Sequence, residues 1–158
     1  MTDATQLPGQ IEERLTALGI EYRLMHHEAT TTSAESARVR GVSLSSGAKA
    51  MVVKAADTYS LFVIPADRRL NWKPVKRLLG SKSARLASAD ELLERTGLTK
   101  GSVPPFGNLV GLPVYVDHAL LDEPLVRFNA GSLVCSIEMP GTSLLEAVEG
   151  EPGEFAEQ

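Results

Sequence analysis

The sequence predicts a single α+β domain built around a mixed β-sheet. Three observations carry that expectation. Helical and strand periodicities alternate along the chain in unequal lengths, and neighbouring apolar runs are joined by turns short enough to make hairpins. The 158 residues, 43% of them hydrophobic, supply material for one core and not for two. Residues 1–150 read as the domain and the acid-rich residues 151–158 as a flexible tail.

Taken in order, Ile11 to Leu18 has the apolar spacing of a short amphipathic helix stopped by Gly19, and Glu21 to His26 reads as a strand. Thr32-Ser33-Ala34-Glu35 has capping-box spacing, which predicts a helix to Arg40 ending at Gly41. Ala48 to Ala55 and Tyr59 to Ile64 flank the turn-prone Ala56-Asp57-Thr58 and form a hairpin. Asn71 caps a basic helix running through Leu79 to Gly80. Ser88-Ala89-Asp90-Glu91 repeats the capping pattern ahead of a helix closed by Gly97. Pro113 to Asp117, Leu125 to Asn129 and Leu133 to Met139 add three strands, and Ser143 to Val148 a last helical turn or two.

Composition narrows the function. No apolar run approaches the roughly 18 residues of a membrane span, and Met1 to Gln10 has neither a basic start nor an apolar stretch, so the expectation is a soluble, cytoplasmic protein with no membrane partner. The single cysteine, Cys135, lies in an apolar stretch and reads as a small buried residue, not a nucleophile. His26-His27-Glu28 is compact, but adjacent strand residues face opposite ways and His118 is the only other histidine, so neither metal nor cofactor is expected.

A net charge of -4 argues against a generic nucleic-acid coat, yet the charges are unevenly spread. From Arg68 to Arg85 every ionisable side chain is a cation: Arg68, Arg69, Lys73, Lys76, Arg77, Lys82 and Arg85, with Trp72 among them. Two readings stay open for this run. It is either a solvated helix face, or a phosphate contact that positions an RNA end without reading its sequence. Trp72 is likewise either a core anchor for the helix or a platform on which a base stacks.

Two segments carry candidate chemistry. Lys49 shares a strand face with Met51 and Val53, while Lys54 is out of phase at the strand end and is expected to be solvated. Lys49 either snorkels from a sheet edge or anchors an anionic or carbonyl oxygen as a compact point charge. The loop Gly101-Ser102-Val103-Pro104-Pro105-Phe106-Gly107 is stiffened by prolines, which lack amide hydrogens, so its donors are Gly101, Ser102, Val103, Phe106 and Gly107. Such amides either close an ordinary turn or stabilise an oxyanion and fix a water.

These segments, with His27-Glu28-Ala29-Thr30-Thr31-Thr32 and Phe128-Asn129-Ala130-Gly131-Ser132 before a strand ending Ile137-Glu138-Met139, resemble the YbaK/prolyl-tRNA synthetase-associated editing family, in order from about Ile11 to Val148. The resemblance implies that family's α+β fold, with a curved and partly barrel-like sheet. It also implies hydrolysis of the ester of a mischarged aminoacyl-tRNA, with proline tRNA as the usual carrier and a synthetase as a further partner. By the same resemblance Lys49 is the essential lysine and Gly101 to Pro105 the Gly-x-x-x-Pro substrate loop, with Ser102, Val103 and Gly107 beside them. His27, Thr32, Met51, Phe106, Gly131 and Ser132 would line the substrate pocket, and Arg68, Arg69, Lys73, Lys76 and Arg77 would meet the tRNA. Leu133 stands where some members have a histidine. Met25 and Ser136 stand where cysteine-specific members have a tyrosine and an acid, which disfavours a cysteine pocket.

The chemistry such a site needs is modest. An aminoacyl ester is already activated, so placing a water and stabilising the tetrahedral oxyanion supply most of the catalysis. The substrate side chain is expected to be small, alanine or else serine, threonine or cysteine. The competing readings are a tRNA- or nucleotide-binding regulatory module with the same fold and no hydrolase activity, and a small-ester hydrolase that works without tRNA.

Overall fold

The computed structural model describes residues 6–27 and 46–158. The helix expected from Thr32 to Arg40, and Thr32 itself, lie outside the described residues. In chain order the elements are α1 (Leu7–Ala17), β1 (Arg23–His26), β2 (Ala48–Ala55), β3 (Thr58–Pro65), α2 (Trp72–Leu79), β4 (Arg85–Leu86) and α3 (Ala89–Thr96). There follow β5 (Val114–Asp117), α4 (His118–Leu121), β6 (Val126–Asn129), β7 (Cys135–Met139), α5 (Leu144–Val148) and β8 (Glu151–Gly153). Helix α1 starts four positions before the predicted Ile11, because Pro8 fits its first turn and Leu7, Ile11 and Leu15 bury one continuous stripe.

The α+β class holds, but the strands form two open sheets where one partly barrel-like sheet was expected. A three-stranded antiparallel sheet has the order β1-β7-β6, and a five-stranded mixed sheet has the order β4-β2-β3-β5-β8. In the latter, β3 with β5 and β5 with β8 are parallel. Among the described residues the two sheets are joined by a parallel bridge between Gly47 and Arg127. Just beyond it, the Arg127 guanidinium donates to Glu138 at 2.7 Å and to Ser46 at 2.8 Å, tying the start of β2 to the smaller sheet.

The larger sheet is covered on both faces. Ala48, Val52, Leu61, Val63, Val114 and Val116 pack with the α1 stripe and with Val126, Phe128, Cys135, Ile137 and Met139 of the smaller sheet. On the opposite face, Val53, Phe62 and Ile64 pack with Leu70, Val75 of α2, Phe155 and Ala156. That second core overturns the flexible tail. Glu151 to Gly153 extends the sheet as a parallel edge strand against Tyr115 to Asp117, and Phe155 sits edge-on to Phe62 at 5.2 Å. Two buried apolar residues after the Pro-Gly pair outweigh the acidic composition that pointed to disorder.

Helix caps follow the sequence closely. The Asn71 side chain accepts from the Lys73 amide, and Gly80 ends α2 in the left-handed region. Ser88 and Glu91 form a reciprocal capping box, and Gly97 closes α3. Glu91 also accepts two bonds from Arg85 and one from Lys54 at 2.9 Å, so Lys54 is ion-paired and half-buried instead of solvated. The Arg85 guanidinium first, then the Ser88 amide and Lys54, hold the Glu91 carboxyl far below the usual carboxylate range. Ser88→Ala is expected to lower the unfolding free energy by about 1 kcal/mol, visible as an earlier urea midpoint at constant slope.

Candidate active site

The smaller sheet has one face in the core and one polar face, as period two requires. Val126 and Phe128, with Cys135, Ile137 and Met139, point inward and are buried. Their neighbours point the other way and pair across the strands: Arg23 and Arg127 flank Glu138, and Met25 and Asn129 flank Ser136. His27 continues the β1 row, its amide donating to the Val134 carbonyl at 3.0 Å. Its Nε2 lies 2.6 Å from the Ser136 hydroxyl, which in turn donates to Asn129 Oδ1 at 3.3 Å. Asn129 Nδ2 donates to the carbonyl of Gly101. His27 and the Gly101 loop, distant in sequence, are therefore joined through Ser136 and Asn129. Burial pushes the Cys135 thiol upward, with the Glu12 charge adding to it, which keeps the thiol protonated and unsuited to attack.

The loop is more committed than its sequence indicates. The Ser102 amide donates to Thr99 at 3.1 Å and the Gly107 amide to Pro105 at 2.9 Å, so both close turns. Phe106 is fully buried, 5.7 Å from Phe128, and is a core residue instead of a pocket wall. Val103, Pro105 and Gly107 are buried as well. A Cβ on Gly107 would come within 2.7 Å of Val114, which accounts for glycine there. Gly101, with φ of 90°, is exposed at the head of the turn. Of the loop's donors, the amides of Gly101 and Val103 are those of residues that line a cavity without being spent on these turns.

The turn at residues 99–103 stands between two cavities. One, of about 440 Å³, presents the side chains of Thr99, Ser102, Ser132 and Leu133, beside Gly131 and His26. The other, of about 360 Å³, has a floor of Ala50, Val52 and Leu92, with Lys100, Gly101 and Val103 at its wall; Met51 borders it too, but its side chain packs against the second core on the opposite face of β2. Gly131 adopts φ of 84° with Leu7 packed beneath it, and the Ser132 hydroxyl accepts from the Val134 amide at 3.1 Å.

Lys49 is half-buried on the same face of β2 as Met51, opposite Ile64 of β3. It lines neither of these two cavities. Burial first lowers its pKa, with Asp67 opposing that shift and Arg69 adding to it. Arg68 and Arg69 are exposed on that side. Lys73 and Arg77, with Asn71, line a separate groove shared with Glu154 and Glu157, whose carboxylates offset the positive charge. Arg85 is neutralised by Glu91, and Trp72 packs half-buried against the second core as an anchor for α2.

From the sequence Asn129 enters only as part of the motif at residues 128–132 and Ser136 only as a position bearing on a cysteine pocket, neither with a role in the site's machinery. The signal available was their placement at facing ends of a hairpin, where counting back from the Ala130-to-Cys135 connection pairs them directly.

Comparison with known proteins matches residues 27–147 to the family described as the aminoacyl-tRNA editing domain. The chain is 30% identical over 148 residues to the Multifunctional Ser/Thr-tRNA deacylase ProXp-y of Escherichia coli (strain K12), covering 88% of this chain and 89% of that protein. A crystal structure of a hypothetical protein superposes with a TM-score of 0.85 at 34% identity, covering 94% of this chain and 99% of the other. A structure of a proposed trans-editing enzyme for prolyl tRNA synthetase gives 0.84 at 27% identity, covering 98% and 97%. The β2 strand, the Gly101 turn and the line of His27, Ser136 and Asn129 all fall within the matched residues, and the chain belongs to the aminoacyl-tRNA editing domain family.

Proposed function

We propose that the protein is a trans-editing aminoacyl-tRNA deacylase that hydrolyses the ester of a tRNA carrying a wrong, small amino acid, with serine or threonine on proline tRNA as the leading substrates. The observation that carries this reading is the Thr99-to-Val103 turn between two cavities, one lined by hydroxyls and one with an apolar floor. An ester lying across the turn would place its amino-acid side chain beside Thr99, Ser102 and Ser132 and its terminal adenosine over Ala50 and Val52. A hydroxyl-bearing side chain could exchange hydrogen bonds with the polar wall of Thr99 and Ser132 where alanine could not, the Ser102 hydroxyl itself being held by the Thr99 carbonyl at 2.8 Å. The named activity of the Escherichia coli relative points to the same substrate class.

In this reading a water attacks the ester carbonyl while the amides of Gly101 and Val103 receive the developing oxyanion. The acyl carbon–oxygen bond to the ribose then breaks, releasing the amino acid and regenerating the tRNA hydroxyl, with the neighbouring ribose hydroxyl assisting proton transfer. Lys49 lines neither cavity and lies within reach of the charges of Asp67 and Arg69, which favours a role on the phosphate of the terminal nucleotide over contact with the carbonyl. A free-standing editor of this kind is useful because a synthetase pocket separates side chains of similar shape by only about 1 to 3 kcal/mol.

The test is deacylation of proline tRNA charged with alanine, cysteine, serine or threonine, beside seryl- and threonyl-tRNAs of their own type. Selective turnover of the seryl or threonyl esters is the expected result. Turnover confined to alanyl esters would overturn the substrate assignment, and none at all the deacylase reading. The tRNA contact has its own check. Reversing Arg68 and Arg69 to glutamate is expected to weaken tRNA binding more than reversing Lys73 and Arg77, whose groove already holds Glu154 and Glu157. The slope of log affinity against log salt should fall by about 1 for each phosphate that is no longer neutralised.

A further inference from the structure

We propose that Asn129 and Ser136 are positioning residues that pin the peptide plane between Gly101 and Ser102, and with it the direction in which the neighbouring amides of the turn point. The inference rests on the deacylase reading for its consequence in catalysis, and on hydrogen bonds alone for its geometry. That peptide plane is held from both sides. Its carbonyl, on Gly101, accepts from Asn129 Nδ2, and its N–H, on Ser102, donates to the Thr99 carbonyl at 3.1 Å. A peptide unit bonded at both ends cannot rotate without losing both bonds. The φ of 90° at Gly101 is a conformation that glycine alone adopts readily, so sterics leave this turn free to relax and the two bonds fix it.

Asn129 is itself oriented. Its Oδ1 accepts from the Ser136 hydroxyl, which leaves Nδ2 as the end that faces Gly101. Ser136 is fully buried and has one proton to give, directed at Asn129, so at 2.6 Å it accepts from His27 Nε2. The line therefore runs in one sense, from His27 through Ser136 and Asn129 to the turn. Strand pairing makes it rigid, since Asn129 and Ser136 are direct partners in β6 and β7 and His27 extends β1 on the far side. Gly101 and Val103, the amides assigned to the oxyanion, flank the pinned plane on either side. Their orientation is thereby set before substrate arrives, as electrostatic preorganisation requires.

Two measurements on the full-length protein test this. Asn129→Ala and Ser136→Ala are each expected to lower kcat by about 10- to 100-fold with KM within about twofold of wild type. Ser136→Thr, which keeps the hydroxyl, should recover most of the rate. The Asn129→Ala, Ser136→Ala double variant should be no slower than the slower single variant, because the two act in one line. Unchanged kcat in folded Asn129→Ala, a loss confined to KM, or multiplicative effects in the double variant would overturn the proposal. The second measurement is hydrogen exchange at the Ser102 amide, which needs no turnover. Exchange at least about tenfold faster in Asn129→Ala, with core β7 amides unchanged, supports the pinned plane, and unchanged exchange overturns it. A wild-type protein that hydrolyses no ester but shows Asn129-dependent protection of Ser102 would remove the deacylase reading and leave the pinned plane standing.

Discussion

Lys49→Ala is expected to lower kcat/KM for deacylation by about 10²- to 10³-fold, the range for removing one charge that the transition state or its anchoring phosphate depends on. The size of the loss follows from placement. The ammonium is half-buried, so water replaces it poorly, and although the Asp67 carboxylate offsets part of the charge, Lys49 and Arg69 together supply two cations to one Asp67 anion, which favours a phosphate. The division of the loss between kcat and KM decides its role. A fall mainly in affinity, partly restored by Lys49→Arg and weakened by salt, puts Lys49 on the phosphate. A fall mainly in kcat that Lys49→Arg does not restore puts it on the ester carbonyl. Lys54→Ala is the matched control, because Lys54 faces the other way and is held by Glu91. It should leave activity within about twofold of wild type, and full activity in Lys49→Ala would dismiss the residue from the mechanism.

The pH dependence has a definite sign. Burial lowers the Lys49 pKa, with Asp67 partly opposing and Arg69 reinforcing it, so the cation is lost at a lower pH than for a lysine in water. Catalysis that needs the cation should decline on the alkaline side before ordinary lysines titrate, an effect absent in Lys49→Arg. For stability the sign is opposite. Between the folded and unfolded pKa values the unfolded chain binds more protons at this site, so the contribution of Lys49 to folding improves as pH rises through its folded value.

What could be read from the sequence divides along physical lines. The β2–β3 hairpin and the caps Asn71, Gly80, Ser88 and Gly97 appear where expected, because each is decided by residues within a turn of one another. The assignment of strands to two sheets was not legible, since it depends on parallel pairings of β3, β5 and β8 that join distant segments. Strand β8 contains proline and glycine and lies in the acid-rich stretch that reads as a flexible tail; only the open edge of β5 makes it a strand. At the site, the glycine–proline pattern located the loop but not its donors. The amides of Ser102 and Gly107 are committed to turns and Phe106 to the core, outcomes set by packing that no local pattern encodes. Alternation correctly gives the polar row holding Asn129 and Ser136, yet its link to Gly101 requires the tertiary fold.

Asp117→Ala is expected to cost about 3 kcal/mol of unfolding free energy and to release the C-terminal segment. The carboxylate is buried at the end of β5, where one oxygen accepts from the Ala119 amide at 3.0 Å. The other accepts from the amides of Phe155 and Ala156 at 2.8 and 2.9 Å. Bonds to a charged acceptor contribute about 1.5 to 3 kcal/mol each, and truncation leaves the donors buried without a partner, so the total is set by how far the segment relaxes toward water. Relaxation has consequences beyond β5. The Phe155 carbonyl accepts from the Asn71 amide and the Glu157 amide donates to Arg69, both at 2.7 Å, so the anchored segment braces the start of α2 and the arginines beside Lys49. Loss of the carboxylate should therefore move the urea midpoint, accelerate hydrogen exchange at Phe155 and Ala156, and raise KM for charged tRNA while leaving kcat near wild type. Asp117→Asn keeps one acceptor and should fall between the two. A midpoint shift under about 0.5 kcal/mol with both amides still protected would show that the Phe155 ring against Phe62 and Tyr115, and not the carboxylate, holds the segment in place.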